Sequence, residues 1–134
     1  MRVLVVGLAR TGEAVARRLV SEGCAVTVVE EHPGGEAYTL RREAVLGCGA
    51  ALVESPDSGG WERLVSAADL VVPSPGVPQH HHVIRAAMRA GVAVRSEVEL
   101  AAERIAVPLV AVTGTNGKTT VTELTARMLA ASGL

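Results

Sequence analysis

Short apolar runs alternate with amphipathic stretches along most of the chain. Arg2–Val6, Ala25–Val29, Ala50–Val53, Asp69–Val72 and Val92–Val94 are runs of β-branched and aliphatic residues too brief for helices. Between them, apolar residues recur every three or four positions: Val15, Ala16, Leu19 and Val20 in a helix reaching about Glu22, and Leu40, Ala44 and Val45 in a helix over 36–46. A brief helix is predicted from Trp61 to Ala67, another from His80 to Ala90 with Gly91 as its cap, and a further one over 97–105 with Val98, Leu100, Ala101 and Ile105 apolar. Strand and helix in strict alternation call for a Rossmann-like α/β fold, an open parallel sheet with helices on both faces. Val110-Ala-Val-Thr then reads as one more strand, feeding a glycine-rich turn and a helix from Lys118 to Ala131 with Leu124, Met128 and Leu129 inward. This starts a second α/β domain of the P-loop ATPase kind, so the expected division is 1–96 and 97–134.

Composition supports this picture. The 134 residues include one Trp, one Tyr and no Phe, and buried parallel strands are built mostly from aliphatic residues such as Val and Leu. A net charge of −1 implies no nucleic-acid partner. Cys24 and Cys48 suit a reduced, cytoplasmic protein better than a thiol metal centre. The first strand begins at once and no apolar run has membrane-spanning length, so neither a signal peptide nor a membrane segment is expected.

Chemistry concentrates where strands end. Gly114-Thr-Asn-Gly-Lys-Thr-Thr120 aims backbone N–H groups at one point before a helix start, where the dipole favours an anion. Gly114, Thr115, Asn116, Gly117 and Thr120 would line a phosphate, Lys118 would reach the terminal phosphates as the catalytic cation, and the Thr119 hydroxyl would ligate Mg²⁺. Val112 stands where the general P-loop pattern has its first glycine. Near the other end, Gly7-Leu-Ala-Arg-Thr-Gly12 has the first and last glycines of a dinucleotide fingerprint, with Ala9 in place of the middle one, and serves either a nucleotide or a tight turn. Glu30, about 20 residues further on, is a ribose ligand or a charged loop end. The stiff Pro73-Ser-Pro-Gly-Val-Pro78 loop ends the fourth strand, where Ser74 and Gly76 could donate to a ligand. His80, His81 and His82, about 100° apart on a helix, should not converge on a metal ion.

Taken together, Gly7–Gly12, Ser74-Pro-Gly-Val-Pro78, Ala86-Ala87 with Gly91, Glu97-Val-Glu-Leu100 and Ala111–Thr120 resemble the Mur ligases over the full 134 residues. The similarity is greatest to the members that add D-glutamate to UDP-N-acetylmuramoyl-L-alanine. It implies an ATP- and Mg²⁺-dependent acid–amino-acid ligase of peptidoglycan precursor synthesis, cytoplasmic and monomeric at full length, that proceeds through an acyl phosphate. It places Gly7, Arg10 and Thr11 at the UDP diphosphate, Glu30 and Glu31 at the uridine, and Ser74 and Gly76 along the other side. Glu30 stands where aspartate is frequent, and His82 where a proline usually follows the histidine matching His81. Only fourteen residues follow Thr120, so the chain is expected to be an amino-terminal fragment, inactive alone, whose tail is mobile, packs on the first domain or self-associates. Three other readings stay open: a sister Mur ligase, an NAD-binding oxidoreductase domain, and a non-catalytic nucleotide-sensing module.

Overall fold

The computed structural model describes residues 1–133, which fall into two compact units, Met1–Arg104 and a second that begins at Ile105. The first unit holds strands β1 (Arg2–Val6), β2 (Ala25–Glu30), β3 (Ala51–Glu54), β4 (Leu70–Pro73) and β5 (Ala93–Val94). Its helices are α1 (Arg10–Ser21), α2 (Glu36–Gly47), α3 (Ser58–Ala67), α4 (His82–Ala90) and α5 (Glu97–Ala102). The strands form one parallel sheet in the order β3-β2-β1-β4-β5. The chain winds outward from β1 to β3, crosses back to β4 and winds the other way. That reversal leaves a crevice at the carboxyl ends of β1 and β4, the place where open α/β sheets bind ligands.

Alternation along the strands sorts the core onto two faces. Val3, Val5, Val26, Val28 and Val72 point to the side covered by Ala16 and Leu19 of α1, Val45 of α2 and Leu100 of α5. Leu4, Val6, Val29 and Val71 point to the side covered by Trp61 and Val65 of α3 and by Val83 and Ala87 of α4.

For the extents and buried faces of the helices in the first unit, three expectations need correcting. Helix α3, expected to begin at Trp61, starts three residues earlier at Ser58, because the Asp57 side chain accepts from the Gly60 N–H at 2.6 Å and caps it. Leu40 is exposed, and Val45 is the buried residue of α2. Helix α5 stops at Ala102, short of Ile105, and Ser96 and Glu99 form a reciprocal capping box at its start. Beyond it, Arg104 makes a bidentate ion pair with Glu22 at the end of α1, at 2.7–3.1 Å.

The second unit contains α6 (Lys118–Ala131), with the predicted bounds. No strand forms over residues 105–117, contrary to the expectation for Val110-Ala-Val-Thr. A parallel strand exists only through ladder bonds to neighbours, and none pairs with this stretch among the described residues. Leu124, Met128 and Leu129, expected inward, are exposed.

Candidate functional site

The crevice is built around Gly7. Its φ of +94° is one L side chains rarely adopt, and a Cβ there would lie 3.1 Å from Ser74 Oγ. A Cβ on Gly12 would stand 2.0 Å from the Gly7 carbonyl oxygen, so α1 can approach β1 this closely only with glycine at that position. The bend is held from both flanks. From β2, Glu30 accepts the Leu8 N–H on Oε2 at 2.7 Å and the His32 N–H on Oε1 at 3.0 Å. From β4, the Ser74 hydroxyl donates to the Gly7 carbonyl at 3.0 Å, and the Ser74 N–H donates to Val6 O at 2.8 Å. Ser74 is 7% exposed, a polar group buried because it is bonded.

Helix α1 opens on this bend. Ala9 is its N-cap and offers no side-chain acceptor, so the first-turn N–H groups are left for something else. Arg10 and Thr11 sit on that turn, Arg10 exposed and Thr11 half-buried. Free donors, the positive end of a helix and a guanidinium together make an anion cradle. Gly76 is exposed, and a Cβ there would meet nothing within 4 Å.

Beside the bend, Glu31 is joined to α4. His81 is the N-cap of that helix, and its Nδ1 accepts the Val83 N–H at 3.3 Å. Nε2 therefore carries the proton and donates to Glu31 Oε2 at 2.9 Å. His82 Nε2 lies 3.9 Å from Glu31 Oε1, and the two imidazole centroids are 4.2 Å apart. Trp61 meets His82 edge-on at 4.9 Å and His81 at 5.9 Å. Burial pushes the pKa of His82 down, helped by His81 and Arg85 and opposed by Glu31. The expectation that these histidines diverge is thus overturned for this pair. His81 has extended ψ (142°) and precedes the helix, so the 100° step between helical neighbours does not apply across it.

In the second unit, Gly117 is the N-cap of α6 with φ +77° and no side-chain cap, so the first turn is again open. Lys118 Nζ donates to the Gly114 carbonyl at 2.6 Å and lies 3.4 Å from that of Thr115, which folds the amine over the loop. Thr115, Asn116, Thr119 and Thr120 are exposed around it.

The profile of the family described as "Mur ligase MurD-like, N-terminal domain" matches residues 1–96. The chain belongs to this family. Curated relatives of the Mur ligase family align with nearly all of it. The UDP-N-acetylmuramoylalanine–D-glutamate ligase of Geobacter metallireducens is 47% identical over 132 residues, covering 98% of this chain and 28% of the relative. The same-named ligase of Anaeromyxobacter dehalogenans is also 47% identical, covering 96% of the chain and 27% of the relative. The chain therefore spans a little over a quarter of the length of these relatives. Among solved structures, a murein peptide ligase from Psychrobacter arcticus superposes with a TM-score of 0.61 at 24% identity, over 99% of this chain and 27% of that one. A pseudomurein peptide ligase from Methanothermus fervidus gives 0.59 at 24%, over 99% and 26%. Both show the shared fold. Among the described residues, no helix is long and apolar enough to cross a membrane.

Proposed function

We propose that these residues supply the UDP-binding domain and the phosphate loop of a cytoplasmic, ATP-dependent ligase that adds D-glutamate to UDP-N-acetylmuramoyl-L-alanine. The observation that carries this reading is the 47% identity to enzymes of that name across 98% of the chain, which includes both glycine bends.

In this reading the open first turn of α1, with Arg10 and Thr11, binds the diphosphate at the Gly7 bend. Glu30 and Ser74 act mainly through the backbone they hold, since both Glu30 oxygens already accept N–H groups. Glu31 and Gly76 border the uridine. The second bend suits a triphosphate: the α6 N-terminus is uncapped, Gly114, Thr115, Asn116 and Gly117 form the loop, and Lys118 holds its amine over the loop carbonyls. Lys118 would exchange those carbonyls for phosphate oxygens. Thr119 would hold Mg²⁺, which neutralises phosphate charge during transfer, and Thr120 would add a further donor. Phosphoryl transfer to the alanyl carboxylate makes an acyl phosphate; the D-glutamate amine attacks its carbonyl, phosphate leaves, and the amine loses a proton as the amide forms. The chain's own part is positioning and charge stabilisation.

Calorimetric titration with UDP-N-acetylmuramoyl-L-alanine, and separately with NADH, tests the first half. Saturable binding of the UDP compound but not of NADH is expected, because Ala9 narrows the approach that a dinucleotide pyrophosphate makes. Preference for NADH would overturn it.

A further inference from the structure

We propose that Glu31, His81 and His82 form a binding site for a late first-row divalent cation such as Zn²⁺ or Ni²⁺, at the edge of the crevice and separate from any Mg²⁺ at Thr119. One ligand atom from each of the three lies within 4.8 Å of the other two. The His81–Glu31 and His82–Glu31 separations are 2.9 and 3.9 Å. Metal–ligand bonds of about 2.0–2.1 Å in a tetrahedron need ligand atoms about 3.3–3.4 Å apart, so small side-chain rotations close the set. Two imidazoles and one carboxylate select Zn²⁺, Ni²⁺ or Cu²⁺ over Mg²⁺ or Ca²⁺, which prefer oxygen donors.

The site is held by other contacts. His81 is half-enclosed at the α4 N-cap, Trp61 packs on both rings, and Glu31 follows Glu30, whose carboxylate is tied to the Gly7 bend. Two features keep the affinity modest. With a metal on Nε2 the His81 proton moves to Nδ1, and the Val83 N–H loses its acceptor. Arg85 also places a positive charge near His82.

Trp61 is the one tryptophan in the chain, and its ring centroid is 4.9 Å from that of His82, so the protein carries its own reporter. Titration of the full chain with Ni²⁺ should quench its fluorescence with one-to-one saturation, and excess Zn²⁺ should restore it. Glu31→Gln and His82→Gln should each weaken the response about tenfold or more, the range lost when metal-site partners are removed. His80→Ala should leave it unchanged, and Arg85→Gln should tighten it, a gain that a misfolded variant cannot imitate. Absence of saturable quenching, equal quenching in Glu31→Gln and His82→Gln, or its loss in His80→Ala would overturn the proposal.

Discussion

At the scale of single residues, Gly12 and Glu30 carry the most consequence. A methyl group at position 12 would be driven into the Gly7 carbonyl, 2.0 Å away, and backbone atoms cannot swing aside as a side-chain tip does. Gly12→Ala is therefore expected to destabilise the first unit by about 2 kcal/mol or more, the upper range of overpacking, read as a lower urea midpoint by Trp61 fluorescence. Glu30 works by holding two backbone N–H groups. Its replacement by alanine leaves the Leu8 amide without an acceptor, and hydrogen bonds to a charged group are worth about 1.5–3 kcal/mol. Glu30→Ala should thus weaken UDP-substrate binding by about 10- to 100-fold. Glu30→Gln, which keeps one acceptor, should fall between it and the native chain. Unchanged binding in both would show that the bend stands without the carboxylate.

Among the elements, α5 ties the carboxyl end of the first unit to α1. Leu100 is buried against the same face as Leu19, and Arg104 clasps Glu22. Hydrogen bonds from Arg104, then Arg18, lower the Glu22 pKa from the usual 4.5 to about 2. A carboxylate depressed on folding stabilises the native state above its unfolded pKa and loses that contribution as pH falls through the folded one. Stability of the first unit should therefore decline between about pH 4.5 and 2, and Glu22→Gln should flatten that part of the profile, measured by urea melts at stepped pH. The pattern of apolar positions revealed β1, β2 and α6 almost to the residue, and the end of α1 but not its start, which lies at Arg10, inside the segment that reads as a glycine turn. The start of α3 stayed hidden because Ser58-Gly-Gly60 looks like a turn and only Asp57 argues for a helix. The missing strand over 110–113 failed for a different reason, since an apolar run states a preference that only a neighbouring strand can fulfil. Similarly, the positions of Ser74 and Glu30 at strand ends placed them at the crevice, whereas their backbone partners at Gly7 and Leu8 are separated by 67 and 22 residues, a relation that no local pattern encodes.

At the scale of the whole molecule, the two units differ in kind. The first is a sheet sealed on both faces, while the second is a helix and a strandless segment with Leu109, Val110, Val121, Leu124 and Met128 exposed. Amide exchange should reflect this: β1 and β4 amides are expected to exchange only through global unfolding, and those of 105–117, which make no ladder bonds, within seconds. Slow exchange over 110–113 would mean that these residues find a strand partner in solution. Finally, the Gly7 bend is clamped by Glu30 on one side and Ser74 on the other, through hydrogen bonds made entirely within the chain. A socket already stiff has little motion left to surrender when a diphosphate arrives; empty and filled forms of the first unit should superimpose closely, with recognition resembling a key entering a finished lock.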